Sequence, residues 1–305
     1  MADRVNHKVV LRHRPDGLPN ASDFGIEEEP VADPAPGLVV VEVEHLSIDP
    51  FMRAALNEGS AHPAIPIGGL LPALGVGHVV ASAVPELKVG DPVFGTTGGL
   101  TAYFGVRHVG AVKAGETAAI SAAAGAVGSI AGQIARIDGA RVIGIAGGPE
   151  KVRYVVDELG CYACIDYKGE DLDARLRELA PDGIDVFFDN VGGEILDVAL
   201  DNIRTGARVV LCGAMSQYHQ MEKVVGPSLY LRLAERNSRM AGFTVTHYVD
   251  RFPEARAQLR GWLASGELRL REHVEEGIEN LGATLIKLFD GSHTGKLLLK
   301  VSPVG

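Results

Sequence analysis

Short apolar runs separated by turn-forming residues dominate the first third of the chain. Residues 9–11, 38–44, 75–81 and 92–94 are β-like runs, and clusters of Pro, Gly and Asp separate them. Small barrels and sandwiches are built from short strands with frequent turn signals. The pattern therefore predicts a small β-barrel or sandwich in this part of the chain.

After about residue 113 the pattern becomes an alternation of strand-like and helix-like segments. Predicted strands cover residues 117–122, 141–145, 164–166, 184–189 and 208–212, and predicted helices cover residues 126–137, 150–159, 171–179 and 194–203. Alternation at this spacing is typical of a doubly wound parallel sheet. The last fifty residues contain one clear helix at 252–264, ended by Gly266, and a strand at 296–301. The predicted fold class is α/β.

Composition and charge narrow the range of functions. The chain has 305 residues, 46% of them hydrophobic and 22% charged, with a formal net charge of −10. This length favours two domains, and an acidic surface repels nucleic acid and anionic membranes. The chain has no signal-peptide pattern, no run of roughly 18 apolar residues and only three cysteines. We expect a cytoplasmic protein that acts on a small molecule, with neither nucleic acid nor membrane as a partner.

A glycine-rich turn joins the first strand of the alternation to its helix. Its sequence, Ala123-Ala-Gly-Ala-Val-Gly128, is an A-x-G-x-x-G variant of the dinucleotide fingerprint. The first glycine lets the backbone approach a diphosphate, the second lets the helix pack on the strand, and the helix N-terminus offers N–H groups. Tight packing alone can require the same glycines, but this strand–helix context is the one that a dinucleotide needs. The residues predicted to bind the cofactor here are Ala124, Gly125, Ala126, Val127 and Gly128.

The end of the second predicted strand indicates which cofactor binds. NAD enzymes place an acid there for the ribose 2′-hydroxyl, whereas this chain has Ala146-Gly-Gly-Pro149. Lys151 and Arg153 follow and could meet a 2′-phosphate, although a solvated helix face is the alternative interpretation of these charges. The missing acid favours NADP over NAD.

Metal and thiol chemistry are both disfavoured. The β-rich part has no cysteine, and its histidines lack the spacing of zinc ligands, so we predict no metal site. The pair Cys161 and Cys164 has redox-motif spacing but precedes a strand instead of starting a helix. Without the helix dipole to lower a thiol pKa, two buried structural residues are the favoured interpretation.

Several motifs, in order along nearly the whole chain, resemble one known family. They are Leu46-Ser-Ile-Asp-Pro-Phe-Met-Arg53, Gly99-Leu-Thr-Ala-Tyr-Phe-Gly105, Ala122-Ala-Ala-Gly-Ala-Val-Gly-Ser129, Gly147-Gly-Pro-Glu-Lys151, Ile165-Asp-Tyr-Lys168, Phe188-Asp-Asn-Val-Gly-Gly193, Cys212-Gly-Ala-Met-Ser-Gln-Tyr218 and Gly295-Lys-Leu-Leu-Leu-Lys300. The chain resembles the zinc-independent medium-chain dehydrogenase/reductases of the prostaglandin reductase / leukotriene B4 12-hydroxydehydrogenase family, which includes alkenal and curcumin reductases. The resemblance implies a GroES-like barrel at 1–110, a Rossmann domain at 111–251 and a return to the barrel at 252–305. It also implies NADPH and a homodimer.

The resemblance also implies roles for individual residues. Gly148, Lys151 and Tyr167 would lie at the adenosine 2′-phosphate, Asn190, Cys212 and Gly213 would border the cofactor, and Tyr218 and Tyr248 would lie near nicotinamide and substrate. Two positions depart from the family pattern. Phe51 replaces a substrate-side tyrosine, and His293 replaces an asparagine that reaches the cofactor.

A third departure is a short junction. The family has a few dozen residues between the motif at 90–95 and the Gly-Leu-Thr-Ala-Tyr motif, whereas only Thr96-Thr-Gly98 intervene here. Either a piece of the barrel has been lost, or a mobile segment is missing from the sequence. Because loss of barrel strands exposes edges and core, we favour the second explanation and expect a break near 96–98.

The expected activity is NADPH-dependent reduction of the carbon–carbon double bond of an enone or enal. Such a reaction needs positioning and a stabilised enolate, without a metal. Tyr248 is the first candidate proton donor, a ribose hydroxyl is an equal alternative, and Tyr218 is weaker. A packing role is the structural alternative for Tyr248. A quinone reductase of the same superfamily and a non-catalytic NADPH-binding protein are the functional alternatives.

Overall fold

The computed structural model describes residues 4–58, 63–95, 97–218 and 223–301. The chain divides into two compact units. The first consists of residues 1–96, 218–223 and 272–305, and the second of residues 97–217 and 224–271. The boundary at 96/97 lies within the short junction.

Strands and helices of the described residues are numbered along the chain. The strands are β1 Val5–Leu11, β2 Phe24–Pro30, β3 Val39–Ser47, β4 Leu74–Ser82, β5 Pro92–Phe94, β6 Thr117–Ser121, β7 Arg141–Ala146, β8 Ala163–Asp166, β9 Ile184–Asp189, β10 Ile203–Leu211, β11 Arg239–Gly242, β12 Glu272–Glu276 and β13 Lys296–Lys300. The helices are α1 Pro50–Ala54, α2 Gly98–Phe104, α3 Ala126–Ile137, α4 Pro149–Arg153, α5 Leu172–Leu179, α6 Gly193–Asp201, α7 Leu231–Glu235, α8 Phe252–Ser265 and α9 Leu281–Asp290. Single π turns extend α2 over Gly105–Val109 and α4 over Tyr154–Glu158.

The first unit is a small domain of two sheets. Strands β1 and β2 form an antiparallel pair, and a five-stranded sheet has the order β12-β13-β3-β4-β5. Helices α1 and α9 contribute to its core. Met52 of α1, Leu56 just after it and Leu285 of α9 are almost completely buried there. The predicted β-rich domain is confirmed, but in the described residues β5 and β12 are open edges instead of neighbours in a closed barrel.

The second unit contains a six-stranded parallel sheet. The order β11-β10-β9-β6-β7-β8 reverses direction between β9 and β6, as in a doubly wound dinucleotide-binding domain. Successive side chains of a strand face opposite sides, and Phe187 and Phe188 accordingly enter the two different cores that cover the sheet. Both rings are fully buried. The predicted α/β class and doubly wound sheet are confirmed.

The two units differ from the predicted domain boundaries at two places. Residues 97–110 belong to the second unit, so the first boundary lies at 96/97 instead of 110/111. Helix α8 was expected to return to the β-rich domain, whereas its Ala255, Leu259 and Trp262 belong to a core of the second unit. The amphipathic pattern of a single helix does not show which domain it packs against, and this explains the difference. The sequence analysis also missed β2, β11, β12, α1, α7 and α9. The predicted helix end at Gly266 is confirmed by its left-handed φ of 77°. No helix of the described residues is long and apolar enough to cross a membrane.

Candidate cofactor and active site

The turn between β6 and α3 has the geometry of a phosphate-binding turn. The amide of Gly125 donates to the Ala122 carbonyl at 2.9 Å, and α3 begins at the next residue. A Cβ on Gly128 would overlap the Ala122 carbonyl oxygen, so only glycine lets the helix start this close to the strand. The first N–H groups of a 12-residue helix are thereby available to an anion. The residues present fit a nucleotide diphosphate.

A second turn, at the end of β7, lies where the ribose-binding acid of an NAD enzyme would be. A Cβ on Gly147 would come within 2.9 Å of side-chain atoms of both Tyr167 and Lys168, so a larger residue there would displace these two side chains. Gly148 follows with a φ of 93°. No carboxylate lies at this strand end in the sequence, which matches the expected preference for a 2′-phosphate.

Asp166, at the end of β8, links the Gly147–Gly148 turn to the residues that follow β8. Its Oδ1 accepts from the Gly148 amide at 2.8 Å and from the Lys168 amide at 3.1 Å. The carboxylate is therefore engaged by backbone donors, while Tyr167 and Lys168 stay exposed beside the turn. The sequence analysis assigned no role to Asp166 or Lys168. Asp166 ends the third predicted strand of the parallel sheet and Lys168 follows it closely, and this position at a strand end is the signal that could have identified them.

Lys151 and Arg153 lie on α4, which begins directly after the Gly148 turn. Lys151 is half-buried, and Arg153 is exposed. The structure therefore brings Gly148, Lys151 and the pair Tyr167–Lys168 to neighbouring strand ends of one sheet.

The carboxyl ends of β6 and β9 meet where the strand order reverses. There the Ser121 hydroxyl donates to Oδ1 of Asp189 at 2.9 Å, and Asp189 is completely buried. Amides of Val191 and Gly192 also donate to Asp189 Oδ1, at 3.0 and 3.1 Å. Burial raises the pKa of Asp189, and these donors oppose the rise by stabilising the carboxylate. The sequence analysis quoted Asp189 within a motif and placed Ser121 in a predicted strand, but it gave neither residue a role.

Two turns predicted to border the cofactor are joined at this place. The Asp189 carbonyl accepts from the amides of Cys212 and Gly213 at 2.8 and 3.1 Å, and the Asn190 carbonyl accepts from Met215 at 3.1 Å. Asn190, Cys212 and Gly213 therefore lie together. Burial raises the pKa of the Cys212 thiol to about 12, so Cys212 is a structural thiol at neutral pH.

Tyr248 lies in an aromatic cluster of the second unit. It is half-buried and interrupts the short helical stretch Val245–Arg251 with non-helical backbone angles. His108 lies beside it, with ring centroids 6.1 Å apart, and the guanidinium of Arg251 donates to Nδ1 of His108 at 3.2 Å. Burial, then Arg251, lowers the pKa of His108. The structure confirms a packing contact for Tyr248 and leaves its catalytic role a prediction.

Three predicted site residues belong to the first unit: Phe51, Tyr218 and His293. Phe51 is on α1 and packs against the core of that unit. The Lys296 ammonium holds the start of α1 through the Ile48 carbonyl and the Asp49 carboxylate, both at 2.8 Å.

His293 lies in the connection between α9 and β13. Nδ1 of His293 lies 2.8 Å from the Lys287 carbonyl. Tyr218 follows a short 3-10 turn, Met215–Gln217. Within the part of the chain that the structure describes, no group of three or more His, Cys, Asp or Glu side chains could hold a metal ion.

Comparison with known proteins agrees with this geometry. Residues 7–113 match a family model described as the N-terminal domain of oxidoreductase, and residues 126–260 match one described as zinc-binding dehydrogenase. The chain is 33% identical to an NADPH-dependent curcumin reductase of Escherichia coli, covering 97% of each. It is 34% identical to a 2-alkenal reductase (NADP(+)-dependent) of Nicotiana tabacum, covering 99% of each. The chain belongs to the medium-chain dehydrogenase/reductase family of enone and alkenal reductases.

A solved structure supports the same membership. The NADPH complex of CurA from Vibrio vulnificus matches with a TM-score of 0.90 at 33% identity, covering 97% of this chain and 99% of that one. The family resemblance expected from the motifs is thereby confirmed. The alignment with the tobacco enzyme extends over 342 positions. This chain has only 305 residues, so at least 37 of those positions have no counterpart in it.

Proposed function

We propose that the protein uses NADPH to reduce the carbon–carbon double bond of an α,β-unsaturated aldehyde or ketone. The observation that carries the proposal is the set of turns on one parallel sheet: the A-x-G-x-x-G turn at α3 and the acid-free Gly147–Gly148 turn beside Lys151. Together they suit a diphosphate and a 2′-phosphate. The names of the curcumin and 2-alkenal reductases support this choice of substrate class.

The chain's own residues would act by binding and positioning. Bound NADPH supplies the hydride for the β-carbon of the substrate. The amides at the start of α3 and the cation of Lys151 would hold the phosphates, and Asn190 with the Cys212-Gly213 turn would border the nicotinamide half. The hydroxyl of Tyr248 would donate to the carbonyl oxygen, where negative charge develops. Phe51 offers the substrate an apolar ring without a hydroxyl.

The test is an assay of purified protein. NADPH oxidation is followed with a 2-alkenal, an enone and a quinone, and the products are identified by mass spectrometry. We expect a saturated aldehyde or ketone from the first two acceptors. Faster turnover of the quinone would favour the quinone-reductase alternative, and tight NADPH binding without turnover of any acceptor would favour a non-catalytic role.

We also propose that the protein is a homodimer, associated through the β11 edge of the six-stranded sheet. In the described residues β11 pairs with β10 alone, which leaves one side of β11 open. Large apolar side chains of neighbouring segments are exposed in the second unit: Val224, Val225, Tyr230 and Leu231, at 54, 72, 57 and 60%. Such an edge and patch are typical of protein interfaces. Sedimentation equilibrium should give twice the chain mass, and Leu231→Glu should shift it toward the monomer.

A cytoplasmic location is part of the same proposal. The three cysteines are all free, and Cys161 and Cys164 are buried, which supports a reducing compartment. Fractionation of cells with an antibody to the protein tests this location.

A further inference from the structure

The Ser121 hydroxyl accepts one hydrogen bond and donates another, and its partners determine which is which. The Asn190 amide lies 2.7 Å from Ser121 Oγ and can only donate to it. The hydroxyl therefore donates its single proton in a hydrogen bond to Asp189 Oδ1, 2.9 Å away. Ser121 is completely buried. It thus acts as a bridge between two turns and has no proton to offer a ligand.

The side-chain amide of Asn190 is oriented by the same residue. Nδ2 of Asn190 lies 2.7 Å from the Ser121 carbonyl oxygen. A carbonyl can only accept, so the nitrogen end of the amide must face it. The oxygen end, Oδ1, has no donor among the described residues.

Asp189 holds the backbone on both sides of Asn190 in place. Both of its carboxylate oxygens accept from the Gly192 amide, at 3.0 and 3.1 Å, and its own carbonyl holds the Cys212-Gly213 turn. A buried carboxylate with this many donors is a rigid anchor, because removing it leaves buried amides unsatisfied. Asn190 is therefore held at its backbone and at its amide nitrogen.

We propose that Ser121 and Asp189 are positioning residues that orient Asn190 so that its hydrogen-bond acceptor, Oδ1, faces the cofactor. Asn190 lies at the end of β9, beside β6, where the strand order reverses and where ligands of doubly wound sheets bind. The matching group on the cofactor is an N–H or O–H donor of its nicotinamide half, namely the carboxamide or a ribose hydroxyl. This inference rests on NADPH being the cofactor, as proposed above.

The test is a double-mutant cycle on NADPH affinity, measured by fluorescence titration without any substrate. Asn190→Ala should raise the dissociation constant roughly 3- to 10-fold, the effect of one hydrogen bond. Ser121→Ala should raise it in the same range. Because Ser121 acts through Asn190, the double variant should bind about as tightly as Asn190→Ala alone. Additive losses would overturn the proposal, since a merely structural role for Ser121 would add to the loss at Asn190.

A second variant and a control complete the design. Asp189→Asn should weaken NADPH binding in the unmutated background but not further in Asn190→Ala, and an additive loss would again overturn the proposal. Thr284→Ala removes a comparable buried hydroxyl, which donates to the Asn280 carbonyl at 2.7 Å in the first unit. It should lower the melting temperature without changing NADPH affinity.

An analogue separates the two donors. NADPH with an acetyl group in place of the carboxamide lacks the N–H donor. If Asn190→Ala no longer weakens binding of this analogue, the carboxamide is the partner, and if it still does, a ribose hydroxyl is. Unmutated protein that binds no NADPH would refute the proposed cofactor itself, a result distinct from every outcome of the cycle.

Discussion

The ring of Tyr248 stacks on the ring of Phe104, with centroids 4.5 Å apart and 11° between the ring planes. Phe104 is completely buried at the end of α2, whereas Tyr248 is half-buried. The stack on Phe104 therefore fixes the plane of the tyrosine ring. It gives Tyr248 a packing role that does not depend on its hydroxyl. Packing and catalysis can be separated because they depend on different atoms of the same side chain.

The first prediction separates these roles by removing the hydroxyl alone. Tyr248→Phe retains the stack on Phe104, so the melting temperature should change little. If the hydroxyl stabilises the developing enolate, kcat for an enone should fall by roughly 10²-fold. Steady-state kinetics and thermal unfolding measure the two effects. Tyr162→Phe, which changes an exposed tyrosine, is the matched control and should retain full activity. Undiminished kcat in Tyr248→Phe would leave the ribose hydroxyl as the donor.

The second prediction concerns cofactor preference. Unmutated protein should bind NADPH much more tightly than NADH, because no acid follows β7 and Lys151 follows it closely. Loss of a charge-assisted contact to the 2′-phosphate costs about 1.5–3 kcal/mol, so Lys151→Ala should reduce the preference by roughly 10- to 100-fold. Titration with both cofactors measures this. Lys113→Ala, remote in sequence from the turn, is the control, and equal affinities in the unmutated protein would refute the assignment.

The third prediction concerns the cysteines. Burial raises the pKa of Cys161 and Cys164 to about 12 each, and the charge of Arg136 opposes the rise at Cys161. At pH 8 the thiolate fraction is then only about one in 10⁴, and the thiolate is the reactive species. Iodoacetamide should therefore label the folded protein very slowly and the denatured protein completely. Mass spectrometry counts the labels, and rapid labelling of either cysteine would reopen the redox interpretation of the C-x-x-C pair.

The fourth prediction concerns metals. The proposed reaction uses hydride transfer and hydrogen-bond donors, so extended dialysis against a chelator should leave both NADPH-dependent activity and the melting temperature unchanged. Elemental analysis of the undialysed protein provides the direct measurement. Stoichiometric zinc, lost together with activity, would show that the prediction of no metal site is wrong.

Sequence patterns were most informative where burial and glycine geometry leave few alternatives. The strand Ile184–Asp189 and the helix Ala126–Ile137 were predicted with their observed bounds, because a doubly covered strand is continuously apolar and a fingerprint helix starts at a fixed offset. β12, in contrast, is a charged edge strand, Glu-His-Val-Glu-Glu, whose polar pattern does not separate it from a loop. The packing of α8 depends on tertiary contacts that no local pattern encodes.

In the candidate site, too, some residues could be predicted from the sequence and others could not. The glycines and Lys151 could be identified because their residue types are tied to phosphate geometry. Ser121 and Asp189 could not, since their importance lies in meeting across 68 residues of sequence. Polar residues that end apolar strands on both sides of a strand-order reversal are the signal that would have found them.

The short junction at 96–98 is the largest of the three departures from the family pattern that the motifs indicate. Strand β5 ends at Phe94 and α2 begins at Gly98. Thr96, on which the expected break partly falls, lies outside the described residues. Phe94 is 47% exposed on an edge strand, and at least 37 positions of the alignment with the tobacco enzyme have no counterpart in this chain. An exposed aromatic residue on an open edge favours a further covering segment.

The fifth prediction is therefore that the protein purified from its natural source carries additional residues between Gly95 and Gly98. Its intact mass should exceed the 32.2 kDa of the present sequence by several kilodaltons, and a tryptic peptide spanning the junction should locate the excess. Three residues reach only about 10 Å when fully extended, so an intact barrel wall needs a longer connection. A mass of 32.2 kDa would show that the deletion is real. In that case the β-rich domain is truncated at β5, and inserting the corresponding segment of a relative should raise its stability to denaturant.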